Sequence, residues 1–238
     1  MNAQQLFKAG KIDAAVEALG VELRDNPMDF HRRTFLFELL CFSGNYSRAE
    51  KQLDILAKGS RDAEMGALLY RSALHAEQLR QEMFGGGAFP SGAKARPVAG
   101  TFNGRPFSSL SDADPRIGAR MELFVAGQYT LIPFEQLASV RMESPVKLRD
   151  LLWPPVLVRT AESYVGLDLG EVITPALSPL TWQDTEDVVR LGRVTDWVQL
   201  DDGIQVPIGQ KLLRIDGEEV PILELRELVI TPSAGNAP

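Results

Sequence analysis

Apolar positions recur at three- and four-residue steps through the first third of the chain. After residue 100 they give way to short apolar stretches cut by Gly, Pro and acidic residues. The first pattern predicts helices at about 2–9, 13–25, 29–42, 47–58 and 61–83, with Asp13, Asp29, Ser47 and Ser60 placed to start the last four. In the last of these, Met65, Leu68, Leu69, Ser72, Ala76, Leu79 and Met83 form one apolar stripe, expected to pack on the preceding helix pair.

The second pattern predicts strands at Met121 to Val125 and Tyr129 to Pro133, joined as a hairpin, then at Ala138 to Met142, Val156 to Thr160 and Gly170 to Thr174. Further strands are expected at Val189 to Leu191, Thr195 to Leu200, Gln210 to Ile215 and Glu219 to Ile230, the last broken by Pro221. Ile215 to Glu219 and Asp201-Asp202-Gly203 read as turns, and Leu148 to Leu152 as a single helical turn.

Residues 6–19 (LFKAGKIDAAVEAL) align with 40–53 (LCFSGNYSRAEKQL), matching Leu6 with Leu40, Gly10 with Gly44, Ala15 with Ala49 and Leu19 with Leu53. The offset of 34 residues is the tetratricopeptide period. Glycine lets one helix end and turn, alanine lets two helices approach, and Pro27 falls where such a repeat closes. One complete repeat is too few to bury its own faces, so helix 61–83 or the rest of the chain is expected to cap it.

The expected fold class is α+β: a tetratricopeptide-like helical repeat domain at 1–84, a Gly/Pro-rich linker at 85–100, a β-rich domain at 101–232 and a flexible tail at 233–238. Helix 29–42 carries two apolar stripes, Phe35, Leu36, Leu39 and Leu40 on one side and Phe30, Arg33, Phe37 and Cys41 on the other. The second stripe either lines a partner groove, which makes Phe30, Arg33 and Phe37 the candidate partner-binding residues, or packs against the C-terminal part.

Charge and residue chemistry narrow the function. The net charge is -7. Residues 1–84 hold 11 basic and 12 acidic groups, which leaves 14 basic and 20 acidic for the remainder, so the acidity lies in the second part. Such a balance argues against binding nucleic acid or an anionic membrane, whose counterions are displaced by clustered Lys and Arg. The N-terminus lacks the basic flank and apolar run of a secretory signal, and no window approaches the ~18 to 20 apolar residues of a membrane span, so the expected compartment is the cytoplasm.

Cys41 reads as a buried thiol. The glycines of 85–97 lack the lysine-hydroxyl pair and preceding strand of a phosphate loop. His31 and His75 have no second ligand nearby, and Asp112/Asp114, Asp184/Glu186/Asp187 and Asp201/Asp202 read as solvated turn carboxylates, so no metal, cofactor or catalytic residue is assigned. Arg190, Arg193, Asp196 and Trp197 in VVRLGRVTDW suggest an internal Arg-Asp pair, with a recognition surface or an enzyme site around Asp196 as the alternatives.

The whole chain resembles the ImpE family, the TagJ-type accessory proteins of bacterial type VI secretion systems, also called SciE-type virulence proteins. The resemblance rests on LFKAGKIDAAVEAL, FNGRPFSSLSDADPRIGARMELFVAGQYTLIPFEQL, SPVKLRDLLWPPVLV, GEVITPAL, VVRLGRVTDW and GQKLLRIDGEEVPILELREL, with Leu148 to Trp153 and Arg190 to Trp197 the most specific. It departs at Pro175 to Trp182 (PALSPLTW), where relatives run into an aromatic, Gly-Ser-rich stretch. The resemblance implies a non-catalytic adaptor that binds the TssB-type small subunit of the contractile sheath, with a link to the ClpV-type disassembly ATPase as a further role. A carrier of a secreted effector is the alternative from the same repeat physics.

Overall fold

A computed structural model describes residues 1–86, 96–162, 164 and 169–231. The Gly-rich stretch expected to be a linker lies largely outside the described residues, as does the expected tail at 233–238. No helix among the described residues is long and apolar enough to cross a membrane.

Five helices open the chain: α1 (Ala3–Lys8), α2 (Ile12–Asp25), α3 (Phe30–Phe42), α4 (Tyr46–Leu56) and α5 (Arg61–Gly85). Each packs on the next. Asp29 and Ser60 start α3 and α5 by accepting from the backbone N–H of Arg32 and Ala63. Asp13 and Ser47 do not start their helices; Lys11 and Asn45 stand at those positions without a side-chain cap. The expected stripe on α5 is corrected in part. Its Ala76 is fully buried, and its Ser72, Leu79 and Met83 are half-buried, beside the buried Ala67, Leu74, Glu77, Arg80 and Phe84, while Met65, Leu68 and Leu69 stand 64%, 56% and 52% exposed.

The β-rich part comprises β1 (Ala99–Phe102), β2 (Arg105–Phe107), β3 (Leu110–Asp112), β4 (Arg120–Val125), β5 (Gln128–Pro133), β6 (Leu137–Met142), β7 (Pro155–Thr160) and β8 (Gly170–Ile173). After these come the short helix α6 (Asp187–Arg190), then β9 (Thr195–Gln199), β10 (Gln205–Gly209), β11 (Leu212–Ile215), β12 (Glu218–Pro221) and β13 (Glu227–Thr231). Eight strands form one antiparallel sheet in the order β2-β1-β13-β6-β7-β8-β4-β5; β9 pairs with β10, and β3, β11 and β12 form a third sheet. The strand expected at Val189 to Leu191 is instead α6 and its cap, because a helical turn brings Asp187 and Arg190 together. The expected helical turn at Leu148 is a 3-10 turn, Leu148–Leu151.

Leu123, Val140, Val158, Leu225 and Leu228, all fully buried, centre the core of the sheets. A second core holds the inner faces of α1 to α5 and takes in Phe124, Leu152, Trp153, Ile173 and Leu191 from the β-rich part. The helices thus bury their apolar surface against the chain's own second half as well as against one another.

Candidate functional site

The stripe on α3 is divided along its length. Phe37 is 1% exposed, and its ring packs 6.0 Å from that of Tyr70 and 6.3 Å from that of Trp153. At Phe37 the stripe is therefore packed against the chain's own Leu148 to Trp153 segment through Trp153. Trp153 Nε1 donates to Glu77 (3.0 Å), Arg149 pairs with Glu38 (3.4 Å), and the Arg149 guanidinium lies 4.9 Å from the Tyr70 ring centre. Phe30 is half-buried with its ring beside Gly59. Arg33 donates to the Pro27 carbonyl (2.7 Å) and to Gln52 (2.8 Å), tying the α2–α3 turn to α4.

Between α5 and the sheets lies a buried ionic cluster. Arg80 donates to both oxygens of Glu122 (2.7 and 3.1 Å), to Glu77 (3.1 Å) and to the Leu177 carbonyl (2.9 Å). Lys211 contacts Glu122 and Asp112, and Tyr129 donates its hydroxyl to Glu122 (2.8 Å). Burial raises the pKa of Glu122, but the charges of Arg80 and Lys211 outweigh that and hold it at about 2. Burial pushes Asp112 up to about 6 and Glu38 up to about 7. Asp112 and Asp114 are therefore not solvated turn carboxylates: both are buried, and Arg116 holds Asp114 at 2.6 Å. Cys41 is buried within the helical core, where desolvation lifts its thiol well above the usual range.

The VVRLGRVTDW motif does not form an Arg-Asp pair through Asp196. Arg190 reaches across to Asp13 on α2 (2.9 Å) and to Asp187 (2.8 Å), while Asp187 also accepts from the Ile12 backbone N–H (2.9 Å). Arg193 donates to the carbonyls of Phe7 and Lys8 at the end of α1, and its guanidinium lies 5.5 Å from the Phe7 ring centre. Asp196 is exposed and accepts from the Trp197 backbone N–H, and Trp197 lies beneath Arg214. Both arginines fasten the second half of the chain to the first two helices.

Two grooves open beside the Leu148 to Trp153 segment. A polar one of about 670 Å³ is bounded by Gln4, His31, Phe35, Glu38 and Arg149. A more apolar one of about 620 Å³ runs between α5, the β4–β5 turn and the chain around Val146, with Leu69, Tyr70, Phe124 and Ile173 among its walls. Leu69 lines it, Met65 and Leu68 stand exposed on the same helix at i−4 and i−1 from Leu69, and Val146, 89% exposed, lines its other side. Contiguous exposed apolar groups of this kind mark binding surfaces. The periodicity of α5 located the three residues in sequence, and the inward turn of Glu77 and Arg80 left them facing out.

The family model described as ImpE protein matches residues 104–229. Over an alignment 267 positions long the chain is 32% identical to the type VI secretion system accessory component TagJ of Pseudomonas aeruginosa, covering 98% of this chain and 92% of that protein. A crystal structure of a Vibrio parahaemolyticus protein superposes with a TM-score of 0.84 over 98% of both chains at 24% identity, so the two share a fold. The chain belongs to the ImpE family, alongside the TagJ-type accessory components of type VI secretion.

Proposed function

We propose that this protein is a non-catalytic adaptor of a type VI secretion system, and that the groove beside α5 receives a helix from the TssB-type small subunit of the contractile sheath. The observation that carries the reading is the exposed row Met65, Leu68 and Leu69 next to a groove of about 620 Å³. A helix with apolar residues at three- and four-residue spacing buries its stripe in such a groove. The left-handed turns at Gly10 and Gly44 (φ 73° and 69°) and the fully buried Ala15 and Ala49 support a tetratricopeptide-like reading of α1 to α4. The acidic β-rich part then offers a second surface for the ClpV-type ATPase.

The test is binding of the full chain to the purified small sheath subunit, with and without that subunit's N-terminal segment, followed by calorimetry. Leu68→Asp places a charge on an exposed position, so it should abolish binding while leaving the thermal midpoint close to that of the parent. Sheath-subunit binding that survives Leu68→Asp would remove the groove from the reading. No binding in any arm, together with binding to a secreted effector, would replace the sheath by the effector as cargo.

A further inference from the structure

We infer that the segment held by the groove beside α5 is a helix whose apolar stripe is flanked by Lys or Arg side chains; this rests on the docking reading above and specifies its chemistry. Glu143 and Glu171 stand exposed on the sheet side of the groove, and neither has an ion-pair partner among the described residues. Asp150, a third carboxylate on the wall, accepts from the backbone N–H groups of Val146 (3.0 Å) and Lys147 (2.8 Å), which leaves its negative charge in place. Lys147 is the one cation among the groove's described lining residues, against three carboxylates; Arg149, which stacks on Tyr70, is paired with Glu38.

The opposite wall carries no charge to answer them. It is Leu69, Tyr70, Ser72 and Ala73 of α5, and Leu68 and Met65 are exposed on the same helix. One side of the groove therefore selects an aliphatic stripe and the other a cation. A helix meets both demands when Lys or Arg lies three or four residues from its apolar anchors, because the long side-chain stem follows the apolar wall while the charged head reaches the carboxylates. Exposed charges of this type act mainly on the rate of encounter and on its salt dependence.

The experiment measures association of the full chain with the purified small sheath subunit at low and high salt, for the parent, Leu68→Asp and the double variant Glu143→Gln/Glu171→Gln. All three substitutions are at exposed positions, and circular dichroism verifies folding. The double variant is expected to associate about three- to tenfold more slowly at low salt and to lose most of the salt dependence. If Leu68→Asp abolishes binding while the double variant keeps the parent's rate and salt dependence, the charge inference is wrong and the docking reading stands. If Leu68→Asp binds as the parent does, both fall. Faster association of the double variant would show an acidic occupant, and a dimer of the purified chain that Leu68→Asp dissolves would assign the groove to a second copy; either result overturns the inference.

Discussion

The guanidinium of Arg80 spans the carboxylate of Glu122, with Nε 2.7 Å from one oxygen and Nη2 3.1 Å from the other, and so fixes α5 to β4 in the interior of the protein. Neither side chain is more than 1% exposed. The pair is embedded in contacts to Glu77, Lys211, Asp112 and Tyr129, so the helical and β-rich parts are joined by complementary charge as well as by apolar packing.

Removing the guanidinium leaves Glu122 and Glu77 buried with Lys211 as the remaining nearby cation of the cluster. Arg80→Ala should therefore lower the unfolding free energy by about 3 to 5 kcal/mol, the usual cost of stranding a buried charge. Arg80→Lys should recover part of that loss, since it restores charge without the two-pronged geometry. Urea denaturation of the three proteins at neutral pH measures both effects.

The raised carboxyl groups set an unusual pH dependence. Asp112 titrates near 6 in the fold against an ordinary 3.8, and Glu38 near 7 against 4.5. Between the ordinary and the folded values the native state holds protons that the unfolded chain has released. The stability these groups contribute is therefore present in mild acid and is lost as pH rises through about 6 and about 7. Glu122, lowered to about 2, acts in the opposite sense: its contribution is present above its ordinary 4.5 and lost as pH falls towards 2. Stability should thus be higher near pH 5 than near pH 8. Glu38→Gln should flatten the upper part of the decline, as read from denaturation midpoints across that range.

Phe37 tests whether the α3 stripe is core. Its ring is buried against Tyr70 and Trp153, so Phe37→Ala opens a cavity at the junction of the two halves and should cost about 3 to 5 kcal/mol. A thermal midpoint close to the parent's, with binding alone impaired, would return Phe37 to the partner groove.

Local periodicity was enough to place α1 to α5 within one or two residues, and the strands from Arg120 to Thr160 within one. Contacts at long sequence separation were not visible in it. The α5 stripe shows why: counted as apolar residues it joins the exposed Met65, Leu68 and Leu69 to the buried Ala76, but the buried polar positions Glu77 and Arg80 are set by Trp153 and Glu122, which are distant in sequence. Asp13 looked like a helix cap and is instead the partner of Arg190, 177 residues away. The β1–β2 hairpin could have been found, because Asn103-Gly104 takes the paired positive φ values (49° and 80°) that favour this dipeptide at tight turns. In the candidate site, Leu68 and Leu69 were legible as apolar helix positions, whereas Val146 and Glu171 join them only once the sheet has formed.

Gly10 and Gly44 occupy equivalent positions in the 34-residue offset and share a left-handed backbone, yet substitution should separate them. A side chain in that conformation costs about 1 to 2 kcal/mol at either site. At Gly10 a Cβ would meet only the Nη1 of Arg193, 3.4 Å away, so Gly10→Ala should show little beyond that strain. At Gly44 it would fall 2.4 to 2.8 Å from three atoms of the Trp182 indole, whose Nε1 is held by Gln81 at 3.2 Å. Gly44→Ala should therefore be the more damaging by at least about 1 kcal/mol, in the range of overpacked interiors. The cause is separable by a double-mutant cycle: in a Trp182→Ala background the excess cost should vanish and leave only the backbone strain. An equal cost in both backgrounds would mean that the conformation of Gly44, not its contact with Trp182, demands glycine there.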